Sequence, residues 1–529
     1  MPFVSTETLA AGYDHIVVGS GSAGCVIARR LVERTSSDVL LIEAGSRHYA
    51  APELTDPTAW VPLAGGEHDW GWSYAPNPRL NDRAIPIPRG KVLGGSSSIN
   101  AMMWYRGHPE DYDRWNVPGW SWADCLPAFK ACETWEEGET RFRGGCGPLQ
   151  INRPPEPHPM AEALIDGLAE LGHSRLEDPN GPSNDGAAIA NLNICEGKRW
   201  SSAKGYLEPF LRNPRLSILT DATVHRLIIQ GGRAVAVELE ASGEALQIQA
   251  TSGIIVCAGA LETPRLLTLS GIADAKELKR LGVPVAADLP GVGRNLQDHP
   301  LVRAINIRTR VPFGLPTDNG GGAIANVRSS SEKHRPDIHL LPIQNASGGP
   351  DLRAAYELSG PAAAVAVGVM DSRSIGSVRV NSTEPRDAMT LDANFLHEPS
   401  DWHAMRAAVR LAIATVQTKA LAKIFDGFLA PTSFETDDEI DAFIRTSCST
   451  FYHCCGTAKM GIDSDPMAVV DPHLRVRGIE NLMVCDASVI PIIPTCNTHA
   501  PVTMLAERAA SFLADPEVAS VAAKERVPA

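Results

Sequence analysis

Three features are missing from this 529-residue chain, and each absence argues against a class of protein. No cluster of lysine or arginine is present and the formal net charge is -14, whereas nucleic-acid binding needs a basic surface. No segment approaches the roughly 18 uninterrupted apolar residues that a membrane span requires. The first residues lack a charged stretch followed by an apolar one, so we expect no signal peptide and a cytoplasmic location.

The 11 cysteines are scattered, and no two of them form a C-x-x-C pair. The commonest zinc and thioredoxin-like motifs are therefore absent, and we expect no metal site. The vicinal pair Cys454-Cys455 is expected to pack as small buried side chains rather than to act in redox chemistry. With 44% hydrophobic residues, 45 glycines and 40 prolines, the composition indicates a globular protein with many turns. Its length suggests two domains.

The N-terminal segment has the order of elements that binds a dinucleotide. A short apolar strand at residues 13–18 leads into a glycine turn, a segment with helical spacing and a second apolar strand that ends in Glu43. Gly19 permits the tight turn, Gly21 lets the backbone approach a pyrophosphate, and Gly24 lets the helix pack against the strand. The helix N-terminus attracts phosphate, and Glu43 is placed to accept hydrogen bonds from ribose hydroxyls.

A second glycine-rich run, residues 88–104, also predicts backbone that closes on a ligand. This run resembles the first signature of the glucose–methanol–choline (GMC) oxidoreductase family of FAD enzymes. The segment from Gly259 to Ile272 resembles the second signature, although Ala273 stands where the family usually has glycine, and residues 291–299 form another block typical of the family. The resemblance extends from about residue 13 to about residue 510, and it is greatest to the shorter bacterial members.

The motifs and the resemblance together imply a set of residues in contact with FAD. Ile99 stands where some members attach the flavin through histidine, and it has no nucleophilic atom, so we expect non-covalent FAD. The expected FAD contacts are Gly19, Gly21, Ser22, Ala23, Gly24, Glu43, Ala44, Arg89, Val92, Gly94, Gly95, Ser96, Asn100, Ala101, Met102, Val224, Ala258, Asp486, Ala487, Ala500, Pro501 and Val502.

The resemblance also implies a catalytic pair near the C-terminus. Oxidising an alcohol requires a base for the hydroxyl proton and a second group that holds the oxygen, and histidine suits the first task. By their position in the family motifs, His453 is expected to be the base and His499 the group that holds the oxygen. Phe451 and Tyr452 are expected to control access of substrate and oxygen. His15, His108, His225 and His299 are expected to be structural.

The predicted fold combines α/β and α+β architecture. A Rossmann-like FAD-binding domain is expected from residues 1–150, 196–301 and 446–529, and a substrate-binding domain with an antiparallel sheet from residues 151–195 and 302–445. Within these domains the spacing of apolar residues predicts helices over 157–171 and 402–416, and alternation over 378–381 indicates a strand of the second sheet.

The predicted function is FAD-dependent oxidation of an alcohol, of the primary hydroxymethyl or sugar-like kind, to a carbonyl compound. The expected partners are a small-molecule alcohol and oxygen or another electron acceptor. Oxygen is the expected acceptor, but the same motifs fit a dehydrogenase that reduces a quinone. They also fit a hydroxynitrile lyase with structural FAD or a non-catalytic flavoprotein. Phe451 is bulky and restricts oxygen access, while Ala101 on the facing loop offsets it, so the sequence leaves the acceptor open.

Overall fold

Two seven-stranded sheets organise the chain in the computed structural model, which describes residues 2–314 and 316–514. The helices are α1 Ser22–Arg34, α2 Pro52–Thr55, α3 Pro109–Asp113, α4 Trp122–Cys132, α5 Pro159–Glu170, α6 Gly259–Leu269, α7 Ala275–Leu281, α8 Pro350–Ala355, α9 Pro399–Val416, α10 Asp437–Ser447 and α11 His499–Ala514. The strands are β1 Gly12–Val18, β2 Val39–Ile42, β3 Trp72–Asn77, β4 Arg83–Ile87, β5 Glu133–Trp135, β6 Leu149–Ile151, β7 Gly186–Ile189, β8 Ile194–Cys195, β9 Lys198–Arg199, β10 Leu216–Leu219, β11 Ala222–Gln230, β12 Arg233–Ala241, β13 Glu244–Val256, β14 Ile272–Ala273, β15 Ala287–Asp288, β16 Pro300–Thr309, β17 Ala323–Val327, β18 Ile338–Ile343, β19 Ala362–Val369, β20 Ser377–Arg379, β21 Thr390–Asp392, β22 Phe425–Ala430, β23 Cys448–Thr450 and β24 Leu482–Val484.

The first sheet has the strand order β10-β2-β1-β13-β12-β11, and β24 also pairs with β13. Strands β10, β2, β1, β13 and β24 are mutually parallel, whereas β11 and β12 form an antiparallel extension on the N-terminal half of β13. The parallel strands are short apolar runs that are buried on both faces, as in other doubly covered sheets. Helix α1 follows β1 directly and packs against α11.

The second sheet is antiparallel throughout, with the strand order β22-β16-β19-β18-β17-β7 and β23 paired to β16. Helices α5 and α9 pack against this sheet and share a hydrophobic core with it. Residues of β16, β18 and β19 line a large cavity, among them Leu301, Leu341 and Ala366. Because side chains of a strand alternate between faces, this sheet separates a helix-packed core from the cavity.

The predicted fold class is confirmed, since a Rossmann-like parallel sheet and a separate antiparallel sheet are both present. Strand β7 brings the segment 151–195 into the second sheet. Strand β23, which the prediction placed in the FAD-binding domain, pairs with β16 and extends the second sheet instead. The exact domain boundaries stay predictions, and residues 515–529 of the last predicted segment lie outside the described residues.

The predicted helices are confirmed as α5 and α9, and α9 starts three residues early at Pro399 because proline is favoured in the first helical turn. The strand predicted over 378–381 forms as β20 but pairs only with β21, so its place in the second sheet was wrong. The alternating pattern of this strand arises from its pairing with β21, which follows it in the chain, and not from a place in the large sheet. Among the described residues, no helix is long and apolar enough to cross a membrane.

Candidate active site

A cavity of about 710 Å³ extends from the parallel sheet to the inner face of the antiparallel sheet. Its volume lies in the upper part of the range of about 300–1,000 Å³ that is usual for ligand sites. At one end it is lined by Val18 and Ile42, where β1 and β2 end. At the other end it is lined by His453 and the antiparallel sheet. Ligands of open α/β sheets bind at such carboxyl ends of parallel strands.

The three glycines of the first turn have different surroundings. Gly19 has φ of +96°, and a Cβ there would lie 2.5 Å from the Cys257 carbonyl oxygen. A Cβ on Gly24 would lie 1.8 Å from the Gly19 carbonyl oxygen, so this glycine is required for close helix packing. Gly21 also lines the cavity, and it is the one glycine of these three at which an added Cβ would have no atom within 4 Å. The first turn of α1 has no side-chain cap, which leaves its N–H groups available to an anion.

Glu43 is buried at the end of β2 and lines the same end of the cavity. Its carboxylate accepts hydrogen bonds from the Ser20 N–H at 3.0 Å, the Ser20 hydroxyl at 2.6 Å and the Gly45 N–H at 2.9 Å. Burial raises the pKa of this carboxyl, although these donors oppose the shift. Glu43 therefore fixes the glycine turn as well as facing the cavity.

Most of the residues predicted to contact FAD line this cavity, and a few support it from behind. Val92 is fully buried against Leu54 and Leu63, and Gly94 donates its N–H to the Ser20 carbonyl at 3.0 Å. The predicted residues on the cavity wall are Gly19, Gly21, Ser22, Ala23, Glu43, Ala44, Arg89, Gly95, Ser96, Asn100, Ala101, Met102, Val224, Ala258, Asp486, Ala487 and Val502. Those that do not line it are Gly24, Val92, Gly94, Ala500 and Pro501, of which the last two lie buried in the first turn of α11.

His453 lies on the cavity wall with partners at both ring nitrogens. Its Nδ1 is 2.9 Å from the Nδ1 of His299, and its Nε2 is 3.2 Å from the side-chain nitrogen of Asn497. Its backbone N–H donates to Asp298 at 2.8 Å, and the same carboxylate accepts hydrogen bonds from Thr450 and Tyr74. Asp298 and His299, the two residues that precede β16, thus fix the backbone and the ring of His453.

Burial, reinforced by His299, His339 and Arg89, holds the pKa of His453 well below its usual value. Burial also lowers the pKa of His299 to about 3. Both rings are therefore neutral at pH 7. A neutral His453 that receives the Asn497 N–H at Nε2 carries its own proton on Nδ1 and donates it to His299. This tautomer keeps the lone pair of the imidazole on Nε2, where it accepts the Asn497 N–H, so an alcohol hydroxyl that replaces this N–H would meet a basic nitrogen.

His453 and His499, the predicted catalytic pair, both line the cavity, but no hydrogen bond joins them within the described residues, and their roles stay predictions. His499 has its Nδ1 2.9 Å from the hydroxyl of Ser22, at the N-terminus of α1. Its ring packs edge-on against Trp104, and burial lowers its pKa to about 4. Asn497, two residues earlier, contacts His453. Helix α11 starts at His499, whose side chain contacts Ser22 at the nucleotide end of the cavity. Asn497 lies in the segment before the helix, and its side chain contacts His453.

Three residues of the site were missed or misread by sequence reasoning. Asn497 was passed over because His499 shares its short segment, and histidine is the more familiar catalytic residue. His299 was expected to be structural, and its Nδ1 lies 2.9 Å from the Nδ1 of His453, the predicted base. Asp298 holds the backbone of His453. The block from Gly291 to His299 was recognisable in the sequence. Its last two residues, Asp298 and His299, are polar, and this pair could have indicated a role at the site.

Phe451 and Tyr452 both line the cavity next to the base. The Phe451 ring stacks on the imidazole of His453, with centroids 4.6 Å apart and an angle of 16° between planes. It is only 8% exposed and packs against β19, where a Cβ on Gly368 would lie 2.7 Å from the ring. Tyr452 has φ of +66°, and its carbonyl accepts a hydrogen bond from Arg89 at 2.5 Å. The Phe451 ring therefore covers one face of the His453 imidazole.

The vicinal cysteines behind the base are buried, and neither is in a disulfide. The Cys454 sulfur is 2.8 Å from the Tyr74 hydroxyl. Burial raises the pKa of both thiols, so neither is a thiolate at neutral pH. The expected packing role of the pair agrees with these surroundings.

The residues present fit an FAD molecule. The glycine turn, the uncapped start of α1 and Glu43 form a nucleotide end, and open space at Gly21 and Gly259 permits close approach to the backbone. Two buried polar atoms of residues that line the cavity, His499 Nε2 and the side-chain oxygen of Asn497, have no partner among the described residues. Buried polar atoms are normally satisfied, so a polar ligand fits there.

Comparison with known proteins agrees with this site. The family model of the GMC oxidoreductases matches residues 13–301 with its N-terminal part and residues 372–506 with its C-terminal part. The oxygen-dependent choline dehydrogenase of Sinorhizobium fredii is 37% identical over 94% of this chain and 95% of its own. The mitochondrial choline dehydrogenase of Homo sapiens is 38% identical over 95% and 89%. The crystal structure of pyridoxine 4-oxidase from Mesorbium loti has a TM-score of 0.90 and 34% identity over 94% and 98%.

The chain therefore belongs to the GMC oxidoreductase family, as the sequence motifs predicted. It is an FAD-dependent oxidoreductase that acts on alcohols.

Proposed function

We propose that the enzyme oxidises a primary hydroxymethyl or sugar-like alcohol to the carbonyl compound, with His453 as base and oxygen as final acceptor. The observation that carries the proposal is the neutral His453 ring, whose Nε2 lies 3.2 Å from Asn497 on the wall of the cavity that also contains the nucleotide end. The choline dehydrogenases among the relatives make choline one alcohol to include in a substrate screen.

In the proposed mechanism His453 takes the hydroxyl proton at Nε2. The hydrogen bond from its Nδ1 to His299 fixes the tautomer and spreads the positive charge that forms. Asn497 donates its amide N–H to the substrate oxygen and stabilises the negative charge that develops there. FAD, held by the glycine turn, Glu43 and the second glycine run, supplies the acceptor for the hydride that leaves the carbon.

His499 has a supporting role in this proposal. Its hydrogen bond to Ser22 ties the start of α11 to the start of α1, so the two helices present their first turns to the same ligand. Its Nε2, which has no partner among the described residues, would help to hold the FAD rather than the alcohol oxygen. The location in the cytoplasm and the absence of nucleic-acid partners stay predictions.

A second candidate is a dehydrogenase that passes electrons to a quinone, and Phe451 is the observation that favours it. The ring stacked on His453 restricts the space in which oxygen meets the flavin. Turnover of an alcohol in air, with hydrogen peroxide measured against the aldehyde formed, separates the two functions. Equal amounts of peroxide and aldehyde support the oxidase. Dye or quinone reduction at least tenfold faster than peroxide formation would support the dehydrogenase.

Non-covalent binding of FAD is expected because Ile99, which lines the cavity, offers no nucleophile. Precipitating the purified holoenzyme with acid and centrifuging it tests this expectation. The flavin absorbance is expected in the supernatant, with a colourless pellet. A yellow pellet that keeps its flavin after washing would show a covalent link.

A further inference from the structure

Charged side chains are unequally distributed over the cavity wall. The part of the wall from residues 301–385 carries Arg303 and Arg353 and, within the described chain, no aspartate or glutamate. The acids that do line the cavity, Glu43, Glu262 and Asp486, all lie outside that part. The charged side chains that line the end of the cavity formed by the antiparallel sheet are therefore both arginines.

Arg303 is the informative member of this pair. It is half-buried on β16, and it has neither a hydrogen-bond nor an ion-pair partner among residues 2–314 and 316–514. The other arginines on the wall differ, since Arg89 bonds the Tyr452 carbonyl, Arg265 bonds the Pro385 carbonyl, and Arg353 is exposed and bonds the Gly348 carbonyl. None of the Arg303 guanidinium nitrogens is a fully buried atom without a partner, so the group is accessible from the cavity and can donate hydrogen bonds to an anion that enters it.

The position of Arg303 on β16 is set by a local irregularity. The pairing of β16 with β19 shifts register between Val302 and Ile305, so Arg303 lies at a bulge. Bulges re-aim side chains, and they are common next to binding sites. On the side of the bulge nearer the base, Leu301 lines the cavity and packs with Ala366 and Phe451. An apolar surface thus lies beside the arginine.

We infer that the substrate is an alcohol with an apolar body and a carboxylate, and that Arg303 binds the carboxylate. The inference rests on the proposed function, because His453 must take the proton of the same molecule. The guanidinium presents a planar fork of N–H donors that matches a carboxylate with two parallel hydrogen bonds. A cationic alcohol is repelled by Arg303 and finds no carboxylate on this part of the wall.

The test compares the anaerobic reduction of the flavin by 4-(hydroxymethyl)benzoate, its methyl ester and a quaternary-ammonium alcohol. In the wild-type holoenzyme the second-order rate constant for the carboxylate is expected to exceed that for the ester by about 10- to 100-fold, the contribution of a charged hydrogen bond. Arg303→Ala is expected to remove this preference by lowering the rate constant for the carboxylate to about that for the ester. Arg303→Lys is expected to keep part of it.

Arg308→Ala is the matched control, because Arg308 is an exposed arginine of the same strand that does not line the cavity. This variant is expected to keep the full preference. A second, independent test measures how strongly benzoate and benzamide inhibit flavin reduction by any alcohol that the enzyme oxidises. Benzoate is expected to bind at least tenfold more tightly than benzamide, and only while Arg303 is present.

A preference for the ester or the ammonium alcohol in the wild type overturns the inference, as does a carboxylate preference that survives Arg303→Ala. The inference is also overturned if benzoate binds no more tightly than benzamide. In all these outcomes an alcohol still reduces the flavin, and the proposed function stands. If no alcohol reduces the flavin, both the proposed function and the inference fail.

Discussion

Replacement of His453 by alanine is expected to slow anaerobic reduction of the flavin by an alcohol about 100- to 10,000-fold, the usual contribution of a positioned base. The variant is expected to retain FAD, because the nucleotide end of the cavity is built from Gly21, Ser22 and Glu43, none of which contacts His453. Stopped-flow absorbance of the flavin measures the rate, and the visible spectrum of the purified protein measures FAD content.

Two further variants make this result specific. His453→Gln keeps a polar side chain of similar length, so it controls for loss of packing against Phe451. His225→Ala removes another histidine of the cavity wall, one that lies on β11 beside Glu240 and away from the base. His225→Ala is expected to reduce as fast as the wild type. Rapid reduction in both His453 variants would remove this residue from the reaction.

Replacement of Asn497 by alanine is expected to slow flavin reduction about 100- to 1,000-fold. Other enzymes lose about this much rate when one hydrogen-bond donor to a developing oxyanion is removed. The reason is geometric, since the Asn497 amide is the polar group nearest to the base on the cavity side. The effect is expected mainly on the limiting rate at saturating alcohol, because the negative charge on oxygen develops only as the proton leaves.

Asn497→His and Thr498→Ala complete that comparison. Histidine restores an N–H donor of similar reach, so part of the rate is expected to return. Thr498 is the next residue and also lines the cavity, but it makes no hydrogen bond to the base, so its loss is expected to have little effect. A rate in Asn497→Ala equal to that of Thr498→Ala would show that the amide does not act on the substrate oxygen.

Much of the nucleotide end could be predicted because its determinants are local in sequence. Gly19 is favoured by its positive φ and Gly24 by its close approach to the Gly19 carbonyl, and the strand ending in Glu43 follows at a fixed distance. Helix α9 was found because its apolar spacing extends over four turns. Predictions of this kind depend on neighbours in the chain.

The catalytic pair could be predicted only in part, because pairing across the fold depends on directions that spacing does not fix. The motif predicted His453, which does line the cavity, but whether Asn497 or His499 lies beside it depends on where α11 begins. A start at His499 turns that ring toward Ser22 and leaves Asn497 on the preceding turn. Arg303 was not found at all, because its exposure to the cavity follows from a bulge in β16.

The central claim is that Asn497, and not His499, completes the site with His453. Anaerobic flavin reduction by one alcohol, measured side by side in FAD-loaded Asn497→Ala and His499→Ala, tests it most directly. We predict a loss of at least about 100-fold in Asn497→Ala and a much smaller loss per bound flavin in His499→Ala, with weaker FAD retention in the latter. The reverse order, with His499→Ala inactive although fully loaded and Asn497→Ala near wild type, would contradict the account.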